Sequence, residues 1–180
     1  DGLWIKGQFG SFVEELSKYT DELILLLDEI PDVTTNTFEI RTDYNIAASN
    51  VKFISLGKSG GLEEFIYRFK KIRKIFQTEQ FDFILIREPS RRTPFIKFFS
   101  KNIPTVFLFG GDWVTSYRIK NNFSRIRGYL FTFFLRKNVK RSLVFVNNID
   151  LYKRWSKYCR NIKVLYTTTI KVENIEKRAV

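Results

Sequence analysis

The chain contains no histidine, no methionine and one cysteine, and each shortage removes a class of chemistry. Without His there is no Ser-His-Asp triad and no Cys-His nucleophile. Cys159 alone can neither close an intramolecular disulfide nor build a zinc centre, so no metal is expected. A lone Cys and the lack of a signal-peptide pattern fit a reducing cytoplasm. The missing Met marks a segment or processed form, and Asp1 reads as part of a loop after a strand expected to precede it. Long apolar runs are missing too: the aromatic stretch Tyr129 to Leu135 stops at Arg136, short of the roughly 18 residues that cross a bilayer. Neither a GxxxxGK(S/T) phosphate loop nor a GxGxxG fingerprint occurs. No internal repeat or low-complexity tract is present.

Acidic residues are scarce in one region. Between Pro89 and Ile149 twelve Lys or Arg face a single acid, Asp112, whereas the rest of the chain is nearly balanced, so this segment carries almost all of the net charge of +12. Such a region concentrates anionic partners: phospholipid, diphosphate, acidic glycan or nucleic acid. The alternative is a surface that only keeps the protein soluble.

What is present is a globular composition, 44% hydrophobic with 19 Phe, enough to fill one core in 180 residues. Ser11-Phe-Val-Glu14 has the form of a capping box and predicts a helix whose apolar stripe is Phe12, Val13, Leu16 and Tyr19. Leu23–Leu27 is an uninterrupted apolar run, as in a strand covered on both faces. Asp28 to Asn50 is polar and predicts a loop with at most a short extended piece. Strands are predicted at Val51–Leu56, Phe81–Ile86, Thr105–Phe109, Leu143–Val146 and Ile162–Tyr166. Helices are predicted from Leu62 to Phe76, with Leu62, Phe65, Ile66, Phe69, Ile72, Ile75 and Phe76 on one face, and at Thr93–Phe99, Ser124–Arg141 and Ile149–Tyr158. Alternating strands and helices imply parallel pairing and a Rossmann-like three-layer α/β domain with a mainly parallel sheet.

Ligands of open parallel sheets bind at the carboxyl ends of the strands, so the strand exits supply the candidate residues. Gly10 and Ser11 lie in a GxxG loop ahead of a helix, where an anion is favoured. Arg87 and Glu88 leave the Phe81 strand with a cation beside a carboxylate, which reads either as a ligand pair or as a surface ion pair. Asp112 leaves the next strand inside a positive field that should keep it ionised and able to accept hydrogen bonds from sugar hydroxyls, and Trp113 can stack on a sugar face. A helix cap and a core aromatic are the alternatives for those two. Asn147 leaves the Leu143 strand as a hydroxyl ligand or a cap. The helix from Ser124 is aromatic through Tyr129, Leu130, Phe133 and Phe134 and basic at both ends. Its Arg125, Arg127, Arg136, Lys137, Lys140 and Arg141 can reach an anionic surface, or snorkel from a helix buried on the sheet. No helix-turn-helix, RNP or zinc-finger signature is present, so nucleic acid is not the expected partner.

In the glycine-bearing loop Gly7 to Ser11, in Phe81-Asp-Phe-Ile-Leu-Ile-Arg-Glu-Pro-Ser90, Val106-Phe-Leu-Phe-Gly-Gly-Asp112, Leu143-Val-Phe-Val-Asn-Asn148 and Lys163-Val-Leu-Tyr166, the chain resembles the N-terminal, acceptor-side domain of GT-B glycosyltransferases, in particular the family-4-like group. The resemblance implies one half of a GT-B architecture: an acceptor-binding domain over residues 1–170, then a linker from 171 to 180 leading to an absent donor-binding domain. It implies transfer from a nucleotide-sugar to a glycan or lipid-linked acceptor in polysaccharide biosynthesis, at the inner membrane face, with no obligate metal or other cofactor. The donor is then held mainly by the absent domain, and this half alone is inactive. Catalytic residues are not assigned. The chain departs from the family in lacking His near Gly111-Asp112, in having Asn147 and Asn148 where Ser is common, and in placing Thr167-Thr168-Thr169 where an Asn-Gly turn is usual. Two other readings fit the same residues: a non-enzymatic basic module for anionic lipid or nucleic acid, and a different two-domain Rossmann enzyme such as a sugar epimerase.

Overall fold

The computed structural model describes residues 3–5, 7–28, 44–57, 62–111 and 122–165. They form an α/β structure with parallel strands in two sheets, which is compatible with a Rossmann-like fold. In chain order the elements are β1 (Leu3–Ile5), α1 (Gly7–Ser17), β2 (Leu23–Leu27), β3 (Tyr44–Ile46), β4 (Val51–Ser55), α2 (Leu62–Thr78), β5 (Ile84–Glu88), α3 (Thr93–Phe99), β6 (Thr105–Phe109), α4 (Asn122–Val139), β7 (Leu143–Val146), α5 (Ile149–Trp155) and β8 (Asn161–Val164). The chain divides into two compact units, Asp1–Ile72 and Arg73–Val180, with the division inside α2.

In the first unit, β1 pairs antiparallel with β3, and β2 pairs parallel with β4, Leu23 opposite Val51 and Leu27 opposite Ser55. Val13 and Leu25 are buried at its centre, with Phe9, Leu23, Leu27, Ile46 and Val51 packed around them. Two expectations fail here. Residues 3–5, read as loop, are themselves a strand. The helix begins at Gly7, so Ser11 sits a full turn inside it and cannot cap it. Glu14, the other half of the supposed capping box, instead accepts the backbone N–H of Ala47 at 3.0 Å. Asn50 then ties the end of α1 to the entrance of β4, donating from Nδ2 to the carbonyls of Ser17 and Thr20, both at 2.8 Å.

The second unit is built on four parallel strands in the order β5-β6-β7-β8. The alternation in β6 buries Thr105, Phe107 and Phe109 on one face, and Val144 and Val146 of β7 lie beside them. Trp155, the last residue of α5, covers this layer with its ring 4.6 Å from that of Phe109. Burying aromatic and branched side chains of this size stabilises by about 1.5–3 kcal/mol each. Phe76 of α2 packs on Phe81 and Phe99 at 5.3 and 6.4 Å.

Only the C-terminal part of the expected α2 stripe is buried, at Ile72 and Ile75, while Phe65 and Ile66 are exposed. Helix ends follow local chemistry. Asn148 caps α5 by accepting Leu151 N–H at 2.8 Å, Glu63 and Glu64 open α2, and Arg136 and Lys137 close α4, each charge suiting its end of the helix dipole. Among the described residues no helix is long and apolar enough to cross a membrane.

Candidate functional site

The register of the four-stranded sheet sets the geometry of its carboxyl edge. Glu88 pairs with Phe109, Phe109 with Val146 and Val146 with Val164, so all four strands end in one row. The ladder continues one residue beyond the row: Gly110 N–H donates to Glu88 O at 3.0 Å, Asn147 N–H to Phe109 O at 3.2 Å and Leu165 N–H to Val146 O at 2.8 Å. The result is a level ledge on which Pro89, Gly110, Asn147 and Leu165 stand side by side, neighbouring strands being about 4.8 Å apart.

Glu88 anchors one end of this ledge. Period-two alternation puts it on the face of Ile84 and Ile86, and it is 1% exposed. Its peptide bond to Pro89 is cis. Its carboxylate accepts the Ser90 backbone N–H at 2.7 Å and the hydroxyl of buried Thr93, while Ser90 Oγ accepts Arg92 N–H at 3.2 Å. The carboxylate therefore organises the turn that leads into α3 and is not offered to solvent. Arg87, on the opposite face of the strand, is exposed. The two residues read together in sequence are thus separated by the sheet.

Gly110 and Gly111 form the middle of the ledge. Neither adopts a positive φ. Among the described residues, a Cβ at Gly110 would meet only Glu88 O at 3.7 Å, and one at Gly111 only Pro89 Cδ at 3.7 Å, both ordinary contacts. The fold itself does not demand glycine at either place, and the missing side chains leave the backbone open to close approach from above. Asn147 is exposed beside them, donating from Nδ2 to Gly110 O at 3.3 Å and accepting at Oδ1 from Asn148 Nδ2 at 2.9 Å. Asp112 and Trp113, the next residues along this exit, lie outside the described residues, as do the tail 171–180 and the threonines 167–169.

The other expected residues lie elsewhere. Gly10 and Ser11 are inside α1, Gly10 buried and Ser11 exposed, so the glycine loop ahead of a helix is not formed there. Arg136 lies over the ring of Tyr158 at 4.4 Å and Lys137 over Phe133 at 5.0 Å, and Lys140 and Arg141 are exposed in the turn after α4. Arg125 and Arg127 belong to α4, their side chains outside the described residues. Lys140 and Arg141 precede β7 with one residue between, at the amino edge of the sheet. The four-residue β7 spans roughly 13 Å, so this basic cluster and the ledge are two separate places. Arg136, Lys137, Lys140 and Arg141 therefore do not gather at the strand exits. Lys97 also points to the amino edge, donating to Thr105 Oγ1 at 2.8 Å, and partial burial lowers its pKa.

Several residues were missed in the sequence. Thr93 and Ser90 complete the Glu88 turn, and in the first unit Asp28, the residue just beyond β2, meets Arg68 of α2 at 3.4 Å. Glu64, one turn before Arg68, has a buried carboxylate oxygen without a hydrogen-bond partner among the described residues. The strand-exit rule applied to Leu23–Leu27 points to Asp28. Among the described residues no three His, Cys, Asp or Glu come together as a metal site. Comparison with known proteins yields no matching family model, no matching curated protein and no matching solved structure, so the functional reading rests on the residues themselves.

Proposed function

We propose that this chain is the acceptor-binding half of a glycosyltransferase of the GT-B kind, acting in the cytoplasm on a glycan or lipid-linked acceptor. The observation that carries the reading is the level carboxyl ledge, with open backbone at Gly110 and Gly111 and an exposed Asn147 amide beside it. Sugar hydroxyls are recognised by planar amides, carboxylates and backbone groups, and ligands of parallel sheets collect at this edge. On this reading Asn147 and the Gly110-Gly111 backbone hold acceptor hydroxyls, Asp112 accepts from another and Trp113 stacks on the ring. Glu88 acts as a positioning residue, keeping the Pro89-Ser90 turn in place. The acceptor hydroxyl oxygen attacks the anomeric carbon of a nucleotide-sugar held by a second domain. The bond to the diphosphate breaks with its electron pair on the leaving group, and the hydroxyl proton passes to a base that is not assigned.

The test is to assay the longer gene product against a panel of nucleotide-sugars, with Asn147→Ala and Asp112→Asn as variants. Transfer that falls tenfold or more in either variant, with donor binding retained, supports the reading. Absence of turnover with every donor, or full activity in both variants, sinks it.

A further inference from the structure

The outer face of α4 is built wrongly for water. The helix buries Gly128, Thr132, Leu135 and Val139 on one side, while Ile126, Tyr129, Leu130 and Phe133 are 57%, 55%, 62% and 58% exposed on the other. Their spacing of three, four and seven residues makes a single stripe, and the next position along it is Lys137. A helix apolar on both faces is covered on both. From Asn122 to Val139 it has no acid, and Arg136, Lys137, Lys140 and Arg141 cluster at its C-terminal end.

We propose that this stripe inserts shallowly into an anionic phospholipid surface, with the helix lying flat and the terminal cations contacting lipid phosphates. Two observations choose this occupant. A second copy of the chain would bring the same acid-free, basic helix against itself, since a two-fold interface repeats one patch on both sides. The patch also amounts to only about 400–500 Å², taking exposed aromatic and aliphatic side chains at their usual area, against roughly 800 Å² per partner in a stable protein interface. Four apolar side chains ending in cations are instead what an interfacial helix needs: modest apolar insertion joined to electrostatic attraction. The Lys137 ammonium 5.0 Å from the Phe133 ring places a cation at the edge of the apolar stripe, where headgroups begin. The inference concerns α4 alone and does not depend on the glycosyl-transfer reading.

The experiment is co-sedimentation of the full chain with vesicles of phosphatidylcholine alone and of phosphatidylcholine with phosphatidylserine, at low and high salt. Binding to the anionic vesicles only, weakened by salt, is expected. Lys137→Gln, Lys140→Gln and Arg141→Gln should each weaken it about fivefold, and Leu130→Ser with Phe133→Ser should weaken it at least about tenfold. These side chains are exposed, so the variants keep the native circular dichroism. Equal binding to neutral vesicles, no binding to either, or unchanged binding of the Leu130→Ser/Phe133→Ser variant overturns the proposal. So does tighter binding to duplex DNA than to vesicles, or a lipid-free dimer that the serine pair converts to monomer.

Discussion

Replacing Glu88 with Gln tests whether a buried carboxylate holds the ledge in place. Gln keeps the shape but has one carbonyl oxygen and one NH2 where the carboxylate has two acceptors. The Ser90 N–H cannot reverse its sense, so the amide oxygen must face it, and the Thr93 hydroxyl must rotate to accept from the NH2. Both contacts survive as neutral bonds. Bonds to a charged acceptor contribute about 1.5–3 kcal/mol and neutral ones about 0.5–1.5. Two such exchanges, offset in part by the easier burial of a neutral amide, leave a loss of about 1–2 kcal/mol. For a chain of this length that lowers the melting temperature by roughly 3–6 °C. Glu88→Ala strands both donors and should cost about 3–5 kcal/mol. Urea denaturation followed by Trp fluorescence and circular dichroism measures each value. A cycle with Thr93→Val should give a coupling near 1 kcal/mol, because the two residues share a direct contact. A Gln variant within about 0.5 kcal/mol of the parent, or a coupling of zero, refutes the reasoning.

Three further outcomes follow from the geometry. Gly57 has φ +76°, and a Cβ there would lie 3.2 Å from Tyr67 Cε1, so Gly57→Ala should cost about 1–2 kcal/mol in thermal melts; an unchanged melt contradicts this. Gly110→Ala should alter stability by less than about 1 kcal/mol while, on the proposed glycosyl-transfer reading, lowering transfer by the longer gene product, and a collapse in stability would show that the glycine is structural. Burial raises the Cys159 pKa from 9.0 to about 11, so at pH 8 its thiolate fraction falls about a hundredfold and iodoacetamide should react correspondingly more slowly than in urea. The raised value favours the folded state fully below pH 9.0, and that contribution is lost as pH rises towards about 11. Alkylation at equal rates in the two states would contradict the shift.

The sequence was most legible where breakers flank an apolar run. Pro104 and Gly110-Gly111 bracket β6, and Ser142 and Asn147 bracket β7, so both strands fall at their expected bounds. β5 slides three residues from its predicted start because Phe81 packs against Phe76 and pairing with β6 begins at Ile84. The capping box fails because the helix already starts at Gly7, and Glu14 is left to accept from Ala47, which is 33 residues away and invisible to a local rule. Arg87-Glu88 reads as a ligand pair or a surface ion pair because opposite charges stand together. Counting by twos from Ile84 would have put the carboxylate inward and the guanidinium outward. The stripe of α4 is legible as apolar, but apolar residues occur on both its faces, so periodicity alone does not decide that Gly128, Thr132, Leu135 and Val139 are the buried side.

The common end point of the four strands also bears on how such a protein can change. A floor whose planks stop flush has no built-in recess, so the depth and outline of whatever binds above it are drawn by the connecting loops. Substitutions and insertions in those loops leave the backbone pairing beneath untouched, so new specificities can be tried without risking the fold. Glu88 is the exception. Its carboxylate belongs to the floor and to a loop at once, so a change there disturbs loop geometry and stability together. Lineages that diverge in what they bind should therefore vary first at the positions of Gly110, Gly111 and Asn147 and last at Glu88.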